Sequence, residues 1–502
     1  MRVWTGVWTK PPDCAQSVDN GVHNGGLRLC TTVRMVDDLQ GRFPQPVEEK
    51  KLSEVGRTPA VRRPAIGRID REIFALAVPA LGALVAEPLF VLVDSVVVGR
   101  LGTAQLGGLS LASNLLVTVV GLCVFLAYAT TAAVSRLVGA GREREALQSG
   151  VDGMWLALGV GVVLGVLVWA AAPWAVSAMG GTGELAEHAV TYIRYSAIGL
   201  PGMEVVLAAT GVLRGLRDTR TPLVVASTGA VVNAVVNITL VWGVGMGIAG
   251  SGLGTALTQL AMGATLAAVV VRGARRRGAS LRPAAGSVWA NARAGLPLLV
   301  RTLSLRLAIL LTVAVATRLG DVTLAGYQVV GSLWGLAAFA LDALAIAAQA
   351  LVGQGLGAGD LPRVRAVLRR CLRWGVAAGA AIGVVLAAAG WWIAPLFTSD
   401  DGVRAAATAG LVVVGLLMPM AGWVFVLDGV LIGAGDGRYL AAVGMLTLVV
   451  YVPAALAVGA WAPAGAAGLA WLWAAFAGVF MAARALTTGL RARGTRWMVT
   501  GT

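Results

Sequence analysis

Twelve mostly apolar stretches, each about 20 residues or longer, fill nearly all of the chain beyond residue 70 and restrict it to one class of fold. A membrane-spanning helix needs about 20 such residues. Lipid offers no water to satisfy backbone N–H and C=O groups, so each stretch must close its hydrogen bonds internally as a helix. The stretches fall near 73–99, 104–136, 150–173, 188–213, 221–242, 248–271, 294–318, 323–354, 372–397, 404–432, 438–459 and 464–487. Most are separated by breakers such as Gly99-Arg100-Leu101-Gly102, Gly139-Ala140-Gly141 and Asp218-Thr219-Arg220-Thr221-Pro222. Charged residues make up only 13% of the chain. Soluble domains carry roughly a quarter, so the class is all-α and polytopic.

Shifted by 218 residues, the chain matches itself. Pro79 falls on Pro297, Arg100-Leu101-Gly102 on Arg318-Leu319-Gly320, and Gly139-Ala140-Gly141 on Gly357-Ala358-Gly359. Further on, Leu213, Gly215, Asp218 and Arg220 fall on Leu431, Gly433, Asp436 and Arg438. Glycine and alanine matches come cheaply in so apolar a chain; proline, arginine and aspartate matches do not. The expected architecture is two parallel six-helix repeats, which in membrane proteins usually rock about a central site.

Lys and Arg near the span ends set the expected orientation. Arg142/Arg144, Arg214/Arg217/Arg220, Arg272/Arg275/Arg276/Arg277, Arg363/Arg365/Arg369/Arg370 and Arg484/Arg491/Arg493 fall in alternate loops, hence on one side, and the intervening loops hold almost none. This places both termini in the cytoplasm of a plasma-membrane protein. The net charge of +15 is thereby explained without nucleic acid. The expected divisions are a polar, disordered tail over 1–68, an N-lobe over 69–271, a cytoplasmic linker over 272–293, a C-lobe over 294–490 and a second tail over 491–502. Cys14, Cys30, Cys123 and Cys371 show no metal-ligand spacing, so neither a structural zinc nor a disulfide is expected.

An ionised side chain at mid-membrane costs about 2.5–3.5 kcal/mol on insertion scales, so each needs a reason. Glu87 and Asp94 lie in the first span, Arg301 and Arg306 in the seventh, Asp342 in the eighth and Asp428 in the tenth; Glu204, in the fourth, carries a weaker signal. Under the repeat, Asp94 falls on Thr312 and Asp428 on Thr210, so scaffold is duplicated whereas charge differs between halves. Glu87 and Asp94 are two helical turns apart on one face, about 10.5 Å along the axis. Pro79 and Pro88 each remove a backbone donor from the same helix and invite a kink. Asn233 and Asn237 share a face of the fifth span, where their amides can give or withdraw hydrogen bonds as a nearby carboxylate gains a proton. Arg301, Arg306, Asp342 and Asp428 can balance one another, most simply as an ion-pair cluster joining the seventh, eighth and tenth spans. His23 and His188 lie outside the spans, so carboxylates must carry any proton traffic. Gly245-Met246-Gly247-Ile248-Ala249-Gly250 fits a dinucleotide-binding pattern but joins two spans with no strand before it. No paired nucleophile and base or metal-ligand set appears, which excludes the common membrane-embedded enzyme designs.

Several segments in order give the chain a family likeness. They are Val93-Asp94-Ser95 before Gly99-Arg100-Leu101-Gly102, Leu213-Arg214-Gly215-Leu216-Arg217-Asp218-Thr219, and Asn237-Ile238-Thr239-Leu240 before Gly247-Ile248-Ala249-Gly250. Leu341-Asp342-Ala343, Ala348-Gln349-Ala350-Leu351-Val352-Gly353-Gln354 and Asp428-Gly429-Val430 follow. Over about 70–490 the chain resembles the multidrug and toxic compound extrusion (MATE) family, its DinF-like branch in particular. The resemblance implies a V-shaped, twelve-helix monomer in the bilayer, with no cofactor, exporting small amphipathic and often cationic organic compounds against H⁺ or Na⁺. It maps the coupling carboxylate onto Asp94, with any Na⁺ bound nearby, and the fifth-span asparagine onto Asn237. DinF-like members often carry an acidic residue four positions after that asparagine; here it is Val241, with Glu87 a candidate substitute. In the seventh span another branch places a glutamate where this chain has Arg301 and Ser304. The alternatives were a lipid-linked or polysaccharide flippase, expected to have more helices, and a major-facilitator transporter, whose basic signature between its second and third helices is missing at Gly139–Glu145.

Overall fold

The computed structural model describes residues 66–501. The predicted tail over 1–68, with Cys14, Cys30 and His23, lies almost wholly outside the described residues. The helices are α1 (Ile66–Gly99), α2 (Thr103–Cys123), α3 (Phe125–Gly139), α4 (Glu143–Ala178), α5 (Gly183–Ala197), α6 (Leu200–Gly215), α7 (Arg220–Ile238) and α8 (Gly247–Arg276). The second half supplies α9 (Ala285–Arg318), α10 (Asp321–Gly357), α11 (Leu361–Phe397), α12 (Asp401–Gly433), α13 (Gly437–Trp461), α14 (Ala466–Trp473) and α15 (Met481–Arg493). Among the described residues eleven spans are long and apolar enough to cross a bilayer by themselves, and α5 with α6 makes a twelfth, bent by 53°.

The spans are less regular than their apolar patterns suggest. The second is interrupted at Val124, between α2 and α3. The fifth closes in a π-turn at Thr239–Gly243, which holds Val241 buried, and the twelfth carries a π-helical segment, Ala474–Phe480, between α14 and α15. Conversely, α1 runs as one helix through Pro79 and Pro88, so no break occurs at either proline. The predicted linker shrinks, because Arg272–Arg276 ends α8 and α9 already starts at Ala285.

The internal repeat is reproduced bond for bond at the helix ends. After α3, the N–H of Arg142 donates to the carbonyl of Leu137 at 2.9 Å; after α10, Asp360 donates to Gly355 at the same distance. After α6, Asp218 donates to Leu213 (2.8 Å), and after α12 Asp436 donates to Leu431 (3.0 Å). These are six-residue caps whose penultimate residue must be left-handed. Gly141 (φ 74°), Gly359 (φ 71°) and Gly435 (φ 74°) meet that demand cheaply, whereas the fourth position is Arg217 at φ 65°.

The halves meet where α3 crosses α10. A side chain on Gly139 would strike the backbone of Gln354, and one on Gly357 would strike the backbone of Arg136. Two backbones can approach this closely only through glycine. From the same crossing, Gln354 Nε2 donates to the carbonyl of Gly215 at 2.9 Å. Arg136 Nη1 donates to the carbonyl of Ala434 at 2.7 Å. The remaining arms of Arg136 hold the segment after α15. Nε donates to Gly501 (3.1 Å), and Nη2 to Val499 (2.9 Å) and Gly501 (2.7 Å). The amide of Gly501 in turn donates to Leu356 of α10 (3.2 Å), and Trp497 is fully buried.

This strap yields a prediction. Arg136→Ala removes charge-assisted bonds to three carbonyls, each worth about 1.5–3 kcal/mol when a charged group donates. Residues 494–501 should then lose protection in hydrogen exchange, Gly501 most of all, while the spans stay protected. Unchanged exchange at Gly501 would remove the clamp from the account.

Candidate ion and substrate site

In the first half, α1, α2, α5, α6, α7 and α8 surround a cavity of about 200 Å³ whose wall is mostly apolar. Asp94 projects into it from α1 and is only 4% exposed. Its Oδ2 accepts from the Tyr192 hydroxyl (2.9 Å) and the Thr255 hydroxyl (3.1 Å), and its Oδ1 accepts from Nδ2 of Asn237. Asn233 stands one turn before Asn237 on α7; its Oδ1 accepts from Asn237 (3.3 Å) and its Nδ2 donates to Thr255 (3.3 Å). One carboxylate thus ties α1 to α5, α7 and α8. All its donors are neutral, and among the described residues no cation pairs with it.

The structure brings Asp94, Asn233 and Asn237 together. Tyr192 and Thr255 complete the group and were missed, because a lone hydroxyl in a span usually bonds its own helix, as Thr118 and Thr228 do. The side chain of Glu87 lies outside the described residues. Glu204 is completely buried on α6, where its carboxyl faces the Cys123 thiol and has no cationic partner among the described residues. Arg214, expected among the orientation-setting loop charges, is instead buried and lines the cavity.

The second half carries a different arrangement. Asp428 of α12 accepts from two guanidiniums at one oxygen: Nη2 of Arg301 on α9 (2.6 Å) and Nη2 of Arg484 on α15. The predicted cluster of Arg301, Arg306, Asp342 and Asp428 is therefore corrected in membership. Arg484 joins it, so it links the seventh, tenth and twelfth spans. Among the described residues Asp342 makes no direct ion pair, although Arg214 of the first half and Arg301 both act on it electrostatically. Arg306 has no ion pair among the described residues, because it stands 1.4 turns beyond Arg301 on a different face. Two voids of about 10 Å³, each room for a single water, flank Arg301 and Asp428. The Nε of Arg301 is buried without a partner.

Arg484 was legible in part, since it falls inside the last apolar stretch. Counting it with Arg491 and Arg493 as a boundary charge hid its role. Among the described residues no group of His, Cys, Asp and Glu could hold a metal ion.

A duplicated twelve-span bundle, with charge buried at helix interfaces and a cavity within one half, has the architecture of a secondary transporter. The chain belongs to the MatE family, whose profile matches residues 79–239 and 297–457, two stretches whose starts differ by 218 residues. Members of this family are transporters, not enzymes. Protein DETOXIFICATION 44, chloroplastic, of Arabidopsis thaliana is 30% identical over 392 residues, covering 75% of this chain and 74% of its own. DNA damage-inducible protein F of Escherichia coli is 28% identical over 370 residues, covering 73% and 81%. Among solved structures, the MATE transporter VcmN of Vibrio cholerae in its bent form superposes with a TM-score of 0.77 at 19% identity, covering 85% of this chain and 98% of that one. A MOP superfamily transporter from Pyrococcus furiosus gives 0.76 at 20%, covering 85% and 96%. These likenesses carry the fold.

Proposed function

We propose that this protein exports small amphipathic organic compounds across the plasma membrane by antiport with protons, with Asp94 as the coupling carboxylate. The reading keeps an N-lobe over 69–271 and a C-lobe over 294–490, with both termini cytoplasmic as the arginine distribution requires. The observation that carries it is Asp94 itself: a buried carboxylate in a cavity wall, satisfied by three neutral donors and by no counter-charge. Burying a carboxylate without a counter-ion is costly, which makes proton uptake a natural response.

The donor set favours H⁺ over Na⁺. Tyr192, Thr255 and Asn237 aim hydrogens at Asp94, whereas a sodium ion would need their lone pairs turned inward. A proton landing on Oδ2 makes it a donor to one neighbour and a poorer acceptor, so at least one of Tyr192 and Thr255 must turn away or accept. The tie between α1, α5 and α8 then loosens, and the negative charge that would hold a basic centre of the cargo is gone. Proton entry from outside thus releases cargo outward and biases the bundle toward its other state. Pro79 and Pro88 give α1 the places where it can bend during that change.

Inverted membrane vesicles with an imposed gradient test this reading. Uptake of fluorescent organic probes should follow a pH gradient and ignore a Na⁺ gradient of equal size. Uptake driven by Na⁺ alone would overturn the proton assignment, and no uptake under either gradient would overturn the antiport.

A further inference from the structure

The arginines at the junction of the two halves outnumber its carboxylates. Arg301 and Arg484 share one carboxylate oxygen of Asp428, Arg214 faces Asp342 without a direct pair, and Arg306 has no ion pair among the described residues. Three guanidiniums thus act on two carboxylates, and Arg306 stands apart from all of them.

Arg306 is the sharpest case because of its depth. It lies thirteen residues after Arg293 and twelve before Arg318 on α9. At 1.5 Å per residue, that is about 18–20 Å from each of the two arginines that bracket the span. An arginine side chain reaches only a fraction of that distance, so it cannot snorkel to either surface. Its guanidinium packs against Gly121 of α2, in the other half, so close that a side chain there would make it shift. A charged group of one half thus rests on the backbone of the other. An intramembrane charge with no ion pair among the described residues is a functional-site candidate by default.

We infer that Arg306 receives an acidic group of the transported molecule, so that the cargo is an amphipath bearing a carboxylate, sulfonate or phosphate. The inference rests on the export reading above and narrows its substrate class. Arg306 supplies planar paired donors suited to such an oxyanion. A lipid phosphate stays at the membrane surface and cannot reach this depth, whereas a cargo molecule entering the junction can. Any basic centre of the same cargo is left to Asp94.

Dansylglycine and its neutral amide form a matched pair for the test, differing only in the acid. Binding is followed by dansyl fluorescence on the purified full chain in detergent, with wild type, Arg306→Gln and Arg306→Lys. Arg306→Gln should weaken dansylglycine by roughly 10- to 100-fold, the worth of a charge-assisted hydrogen bond, and leave the amide unchanged. Arg306→Lys should recover part of the loss. Equal weakening of acid and amide would make Arg306 structural and overturn the inference. So would failure of the acid to bind, or its full displacement by equimolar chloride or inorganic phosphate. Uptake of both probes into inverted vesicles separates the two readings. If the amide moves and the acid does not, the inference falls and export stands. If the acid binds through Arg306 but neither probe moves, the site stands and export falls.

Discussion

Asp94→Asn abolishes gradient-driven export while the protein still inserts and folds. The substitution keeps the size of the side chain and an oxygen that can accept from Tyr192, Thr255 or Asn237, so the junction of α1, α5, α7 and α8 is only mildly disturbed. It removes the proton-binding oxygen and the charge together. With a permanently neutral group the two states can no longer be biased by proton arrival, and an equilibrium that the ion does not shift does no transport work. Probe uptake into inverted vesicles should fall to that of vesicles lacking the protein, across the whole pH range. Detergent-extracted protein should keep the wild-type elution volume. Uptake at the wild-type rate would remove Asp94 from the mechanism. A residual rate that still followed the pH gradient would transfer its role to another carboxylate, such as the fully buried Glu204.

Asp428→Asn produces the largest loss of stability. Arg301 and Arg484 are both nearly buried and both depend on one oxygen of Asp428. Taking one partner from a buried pair costs about 3–5 kcal/mol, because the charge left behind has neither water nor a counter-ion. Here two charges are left at once, less than a helix diameter apart. The melting transition in detergent should fall by on the order of 5 °C. The combination Asp428→Leu, Arg301→Met and Arg484→Met should recover most of that loss, since an apolar replacement of a buried cluster is often neutral or better. If Asp428→Asn melts like wild type, the cluster does not hold α9, α12 and α15 together.

Much of this was readable in the chain because lipid makes the rules strict. The apolar stretches gave the spans, and the 218-residue shift gave caps that recur at Leu137/Gly355 and Leu213/Leu431. Asp94 and Asn237 stood out because a charge and an amide in a span need a reason. The rest was hidden by specific ambiguities. Arginine near a span end looks the same whether it sits in water or folds inward, so Arg214 and Arg484 were placed among the boundary charges. Tyr192 and Thr255 were indistinguishable from hydroxyls that bond their own helix. The break at Val124 falls inside continuous apolar sequence, where no polar residue marks it, whereas Gly199 and Pro201 do mark the bend between α5 and α6.

The α3–α10 crossing has a genealogical consequence. Gly139 touches Gln354, and Gly357 touches Arg136; shifted by one repeat, each contact becomes the other. That reciprocity defines the interface of a homodimer with a two-fold axis, in which residue i meets j and j meets i. A single six-span ancestor would have carried both surfaces and paired with its own copy before gene fusion joined them. Once fused, the copies were free to drift apart, which is how one came to hold Asp94 and the other Arg306.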